Sequence, residues 1–229
     1  MSNIGLPGFW PHAALYVGAP EQRRDYFDDP EVMAWVKAQG EAGGFESLLQ
    51  AREPAAQLAS QQQPEAGHPA RVLEAVGEGV MFTSLEHSAH ADSLAVLRPR
   101  LSKLEKAQAL LRAFHYSGRP YDFNFDFATD DELVCTELVY KAYEGDSDRK
   151  GIRFPTVEIM GRLAMPANEI VKQFDRNIGT DQQQFDLILF LDGHERENEA
   201  QVADLDTFRK SWKRPKWHVL VQDTVLGER

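Results

Sequence analysis

Hydrophobic and polar positions alternate along this chain in short bursts punctuated by glycine and proline. Residues 12–17, HAALYV, are held between PGFWP and Gly18-Ala19-Pro20, and they read as a strand on which His12 shares a face with Ala14 and Tyr16. Residues 71–76, RVLEAV, read as a second strand with Glu74 on the face of Val72 and Val76. GEGV turns the chain into a third strand over residues 80–83, and residues 94–97 form a fourth, ended by Arg98-Pro99. At Ser102 the period becomes helical. Ser102-Lys103-Leu104-Glu105 is a capping box that Leu101 can staple, and Leu104, Ala107, Leu111 and Phe114 line one face until Gly118. Cys135, Leu138, Val139 and Ala142 repeat the helical spacing, with Asp130 and Asp131 at the capping end. Further on, GDSDRKG reads as a loop and TVEIMGRLAM as a short helix stopped by Pro166. Residues 185–191 read as a nearly continuous apolar strand and residues 217–225 as an alternating one. Strands outnumber long helices and are joined by short turns, which predicts an α+β domain with a mainly antiparallel sheet. With no internal repeat and no convincing boundary, residues 1–229 read as a single domain.

One stretch breaks this pattern. Residues 19–70 shift to Gln, Glu, Ala, Pro and Gly with few β-branched residues, and they read as an insertion. Asp29-Pro30 followed by EVMAWVKAQ and Gly40 carries helix start and stop signals, and FESLLQAR is a second helical candidate. PAAQLASQQQPEAGHP is close to low complexity and reads as a mobile loop. Such an insert suits either a lid over a site or a decorated surface loop.

Composition narrows the chemistry. With 42% hydrophobic and 27% charged residues the chain can bury a core without staples. A net charge of −11 and a pI near 5.1 argue against non-specific binding to nucleic acid or to an anionic membrane surface. No run is long enough to span a membrane, and MSNIGLPGFWPH lacks the basic and apolar regions of a secretory signal. A cytoplasmic location is the resulting expectation. The single cysteine excludes an intrachain disulfide framework and any multi-cysteine zinc site.

That cysteine, Cys135, stands in the first turn of its helix, where the backbone N–H groups and the helix dipole favour a thiolate. A small buried hydrophobe is the competing reading, since most free cysteines are just that. A thiol nucleophile needs a base, and the base needs a third group to orient it. Of the seven histidines, His12 lies on a strand beside rigid turn residues; His218 is the competing strand histidine. His115 ends a helix, and His68, His87, His90 and His194 fall in polar loops. Glu74 is the orienting carboxylate if its strand pairs with that of His12 across the insert, because a carboxylate on a strand face needs a partner.

Taken together, Gly8-Phe9-Trp10-Pro11-His12-Ala-Ala-Leu-Tyr16-Val-Gly18, Val72-Leu73-Glu74-Ala75, GEGV, Val96-Leu97-Arg98-Pro99, Gly118-Arg-Pro-Tyr121-Asp-Phe-Asn-Phe-Asp126 and Cys135-Thr-Glu-Leu-Val139-Tyr resemble the permuted papain-like amidases. These form the YiiX/YebB-type branch of the NlpC superfamily of cysteine hydrolases. The order is diagnostic: the histidine strand precedes the cysteine helix, the reverse of papain. The resemblance implies a circularly permuted papain-like (NlpC-type) fold, with a mainly antiparallel sheet packed on the helix that carries the cysteine and an insertion at about residues 19–70. It implies a catalytic triad of Cys135 as nucleophile, His12 as general base and acid, and Glu74 as the group orienting the imidazole. Tyr121 matches the family's Pro-Tyr position, where the phenol donates to the substrate carbonyl or positions the thiolate. The backbone N–H of Cys135 is the expected oxyanion donor. No cofactor and no metal are implied, and the partner is a small peptide, amide or acyl substrate, cell-wall peptides among them. Two features depart from the family. A Gly-Asp strand that usually precedes the histidine motif is absent from the short stretch ahead of His12, which fits either a missing neighbouring strand or a truncated start, and the long insert replaces a short turn.

Two other functions stay open on these residues. A lipid-directed thioesterase or acyltransferase would use the same triad, with Phe9, Trp10 and the insert lining an acyl pocket. A binding module would carry the triad as a vestige and recruit a partner through the insert. Asp122-x-Asn124-x-Asp126 lacks the glycine and the bidentate glutamate of a calcium loop and reads as a strand burying Phe123, Phe125 and Phe127. Glu86-His87-Ser-Ala-His90 lacks the order of a zinc helix and reads as polar loop, and SWKRPKW reads as cover for a sheet edge. Oligomeric state is not encoded in any of these patterns.

Overall fold

A computed structural model describes residues 8–122, 132–146, 149–159, 162–194 and 199–216. An extended arm leads into β1 (Leu15–Tyr16), which is shorter than the strand expected over residues 12–17. Pro11 has no N–H to give, and only Leu15 and Tyr16 find ladder partners. The region read as an insertion folds into α1 (Pro20–Tyr26), α2 (Pro30–Ala38), α3 (Phe45–Arg52) and α4 (Pro54–Ala59). Proline opens α1, α2 and α4, where its missing N–H is not needed. The expected mobile loop over residues 54–69 is thereby corrected: its first part is α4, with Ala56 and Gln57 buried. The reason is tertiary. Arg23, itself buried, donates to Glu46 at 2.6 and 3.0 Å, to Ser60 Oγ at 3.1 Å and to the Gly18 carbonyl at 2.9 Å, which ties the helices to the end of β1.

The chain then forms the hairpin β2 (Ala70–Val76) and β3 (Gly79–Ser84), the single turn α5 (Leu85–Ser88), β4 (Leu94–Pro99) and α6 (Lys103–His115). Ser102 and Glu105 close the capping box of α6 reciprocally, at 3.1 and 2.8 Å. Next comes α7 (Cys135–Tyr143), which begins at the cysteine. Its cap is Val134 rather than Asp130 or Asp131, which lie outside the described residues; Glu137 reaches back to the Val134 N–H at 3.5 Å. TVEIMGRLAM is not a helix but contributes β5 (Val157–Ile159) and β6 (Arg162–Ala164), paired antiparallel from Val157 opposite Ala164. Thr156, Val157 and Ile159 are β-branched, and their stiff χ1 favours a pleated strand over a helical turn. The helix stands after Pro166 instead, as α8 (Ala167–Asn177), followed by β7 (Phe185–His194), β8 (Glu199–Val202) and α9 (Leu205–Ser211). The strands expected over residues 122–127 and 217–225 fall largely or wholly outside the described residues.

The result is a mixed α and β structure with antiparallel sheets: β1-β2-β3, β4-β7-β8 and the pair β5-β6. Two apolar cores hold it together. In the first, Leu15, Leu73, Ala75, Val80 and Phe82 from one face of β1-β2-β3 meet Val32 and Val36 of α2, Leu48 and Leu49 of α3, Phe114 of α6 and Leu138 of α7. In the second, Phe9 and Trp10 of the arm pack with Met165, Ile170, Phe174, Phe190 and Phe208. The arm crosses from one core to the other between Trp10 and Leu15, so His12 sits at the crossing. Among the described residues no helix is long and apolar enough to cross a membrane.

Candidate active site

Register places the carboxylate. In β1-β2-β3, Tyr16 faces Val72 and Val72 faces Thr83, while Glu74 lies opposite Met81. Alternation therefore turns Leu73 and Ala75 into the first core and leaves Val72, Glu74 and Thr83 on the other face. Carrying the β1 register back by two residues sets Ala14 opposite Glu74, so the arm delivers His12 beside it.

The expected contact is present. His12 Nε2 lies 2.7 Å from Glu74 Oε2, with Glu74 only 3% exposed and the His12 side chain 29% exposed. Since Nε2 is engaged by Glu74, the ring nitrogen left for other partners is Nδ1. The His12 ring is also hydrogen-bonded to the Cys135 side chain, whose sulfur further meets the backbone N–H groups of Ala13 and Thr136. Thus residues 12, 74 and 135, from an arm, a central strand and a helix start, converge on one spot. Cys135 is a free thiol and 1% exposed, leaving His12 as the part of the group nearest solvent.

Each group is shifted in the direction this geometry dictates. Burial alone would lower the His12 imidazole, but its hydrogen bonds to Cys135 and Glu74 and their charges outweigh that and raise it to about 10. Burial would raise Glu74, yet hydrogen bonds from His12, Ser88 and Thr83 bring it down to about 2. For Cys135, burial opposes ionisation; the hydrogen bond and charge of His12, with the two backbone N–H groups, pull the thiol below its ordinary value. The imidazole and thiol share one proton, so these directions describe the pair.

Two contacts to Glu74 are not foreseen from the chain's pattern. Thr83 donates to Glu74 Oε1 at 2.6 Å, and the Ser88 hydroxyl donates to the same oxygen. Thr83 was recoverable in principle, because the hairpin register makes it the diagonal neighbour of Glu74. Ser88 carries no sequence signal; it arrives because α5, capped by Ser84 Oγ on the His87 N–H at 3.0 Å, folds back over β2 and β3.

The remaining candidates are distributed as follows. Tyr121 is 5% exposed, belongs to the first core and bridges to Leu133, two residues ahead of Cys135. His115 meets Glu53 at 3.0 Å on the surface, His68 meets Glu86 at 3.2 Å, and His218 lies outside the described residues. Phe9 and Trp10 do not line an open pocket. They are buried in the second core, where Trp10 Nε1 donates to Ser211 Oγ at 2.8 Å and Gly8, at φ 102°, lies so close to Asn168 that a Cβ would clash. Helices α2 to α4 likewise contribute to the first core. Among the described residues no group of three or more His, Cys, Asp or Glu side chains is arranged to hold a metal ion.

Comparison with known proteins adds independent findings. The family model described as permuted papain-like amidase enzyme, YaeF/YiiX, C92 family, matches residues 1–197. Among solved structures, the crystal structure of metalloprotein yiiX from Escherichia coli O157:H7 is similar at 23% identity, covering 67% of this chain and 89% of that one with a TM-score of 0.33. No curated protein matches.

Proposed function

The chain belongs to the permuted papain-like amidase family, and from that premise we propose that it is a cysteine hydrolase that cleaves an amide bond through a thioester on Cys135. The observation that carries this reading is the hydrogen-bonded line from Cys135 through His12 to Glu74. At neutral pH the raised imidazole and lowered thiol favour an imidazolium–thiolate pair, with Glu74 ionised behind it. Cys135 Sγ attacks the substrate carbonyl carbon, forming a C–S bond as the oxygen takes up negative charge. The Cys135 backbone N–H, in the first turn of α7 and so without an intrahelical acceptor, is placed to receive that charge. Collapse breaks the C–N bond while His12 gives its proton to the departing amine. Water then adds to the thioester, His12 takes a proton from it, and Cys135 leaves as the free acid forms. Glu74 keeps the ring turned with Nδ1 toward the sulfur and stabilises its positive charge. Tyr121 is assigned a positioning role, through the Leu133 bridge that leads the chain into Cys135.

A thiol-directed activity probe, tested in competition with cell-wall peptide fragments, acyl amides and acyl thioesters, identifies the substrate class. On a substrate found this way, Cys135→Ala should abolish turnover, and His12→Ala should lower kcat by about 10²–10⁴-fold. Undiminished hydrolysis by Cys135→Ala would sink the mechanism.

A further inference from the structure

We propose that Thr83 and Ser88 are positioning residues of this site, which clamp one oxygen of Glu74 so that the other stays on His12; the inference rests on the reading of His12, Glu74 and Cys135 given above. The two oxygens of Glu74 have separate duties. Oε2 meets His12 Nε2 at 2.7 Å, whereas Oε1 accepts from Thr83 Oγ1 at 2.6 Å and from Ser88 Oγ. Thr83 Oγ1 and Ser88 Oγ are themselves 2.8 Å apart, so the hydroxyls form a tight triangle with Oε1.

This division has a chemical consequence. A carboxylate tethered through one oxygen cannot rotate, and its second oxygen is held in line with the imidazole N–H. Removing the tether would let Glu74 turn from the ring and accept a proton more readily, since hydrogen bonds to a charged group favour that charged form. His12 would then lose the partner that fixes its tautomer, and the thiolate would lose part of its counter-ion. The tether also comes from two elements, β3 and α5, so it joins the short α5 turn to the site. The titratable and charged groups around α5 include Glu65, His68, Arg71, Glu86, His87 and His90, with His68 paired to Glu86 at 3.2 Å and His87 to Glu65 at 3.8 Å. Those facing Glu74 itself are His12 and, through it, Cys135.

The test needs no known substrate. Thr83→Val, Ser88→Ala and the double variant are compared with wild type by thiolate ultraviolet absorbance against pH, with Cys135→Ser as blank, and by the rate of Cys135 alkylation by iodoacetamide. Circular dichroism reports whether each variant is folded. The expected result is a loss of alkylation of about tenfold for each hydroxyl removed, read on the acid limb of the wild-type thiolate profile. The acid limb of the thiolate profile should move up toward the ordinary carboxylate range, and Thr83→Ser should restore the wild-type profile. Ser88→Ala alone, at a half-buried position, carries the test if Thr83→Val does not fold. A folded Ser88→Ala or double variant with the wild-type profile overturns the inference, because a merely structural role would alter stability and not the thiol. A wild-type thiol that titrates like free cysteine and ignores His12→Ala overturns instead the reading beneath it, and this one with it.

Discussion

At the scale of single residues, the contact between His12 and Glu74 contributes a stability that depends on pH from both sides. Glu74 is lowered from 4.5 to about 2, first against the opposing effect of burial and then by its hydrogen bonds to His12, Ser88 and Thr83. Its contribution is complete above pH 4.5 and disappears as the pH falls to about 2. His12 is shifted the other way, from 6.5 to about 10, so its contribution is complete below pH 6.5 and fades as the pH rises to about 10. Both are whole only between 4.5 and 6.5. Glu74→Gln should therefore destabilise the protein most in that window, by about 1.5–3 kcal/mol, with the gap narrowing toward acid and toward alkali. Urea denaturation at stepped pH measures this. A gap of the same size at every pH would mean that the His12–Glu74 contact is not ionic.

At the scale of elements, helices α2 to α4 share the first core with the β1-β2-β3 sheet. Leu48 and Leu49 of α3 are fully buried beside Val32 and Val36 of α2, and α3 also packs on α1, α4 and α6. The Arg23–Glu46 pair fastens them to the end of β1, the strand that follows His12. A lid would close over the site and contribute little to folding. Leu48→Ala should instead cost about 2–5 kcal/mol of stability, read by urea or thermal unfolding. An unchanged unfolding midpoint would restore the lid. The four-residue α5 makes the complementary point: it is too short to be stable alone, and it persists because β2 and β3 carry it.

At the scale of the whole molecule, two cores meet at the arm that bears the histidine. Trp10 packs against Phe190 and Phe208 with ring centroids 5.8 and 6.0 Å apart, and it bonds Ser211; Arg214 lies over Phe9 while gripping Asp192 at 2.6 and 2.8 Å. These contacts come from β7, α9 and the residues just after it, and α9 and Arg214 lie beyond the region that matches the family model. Phe208 is fully buried, so Phe208→Ala should cost about 3–5 kcal/mol. Because the arm is held from this side, the same variant should also slow Cys135 alkylation at neutral pH. Unfolding and alkylation measured on one preparation give both numbers, and a destabilised variant with wild-type alkylation would separate the second core from the site.

Local chemistry alone was enough for the parts of this protein whose causes lie within a few residues. The capping box of Ser102 and Glu105, the helical face through Leu138, Val139 and Ala142, and the strand around Glu74 all follow from hydrogen bonds and periodicity that neighbours can satisfy. Pairing His12 and Glu74 with Cys135 was also within reach, because a buried carboxylate and a helix-start thiol both demand partners, although the resemblance to permuted amidases carried most of that inference. What the tertiary structure decided is everything set by register and packing between distant segments. It made β5 and β6 from a stretch with helical spacing, kept α4 from a stretch of low complexity, and capped α7 with Val134 in place of an acidic residue. It also brought Thr83 and Ser88 onto the idle oxygen of Glu74. Hydrogen bonds of that kind depend on which strand lies beside which, and no single segment holds that information.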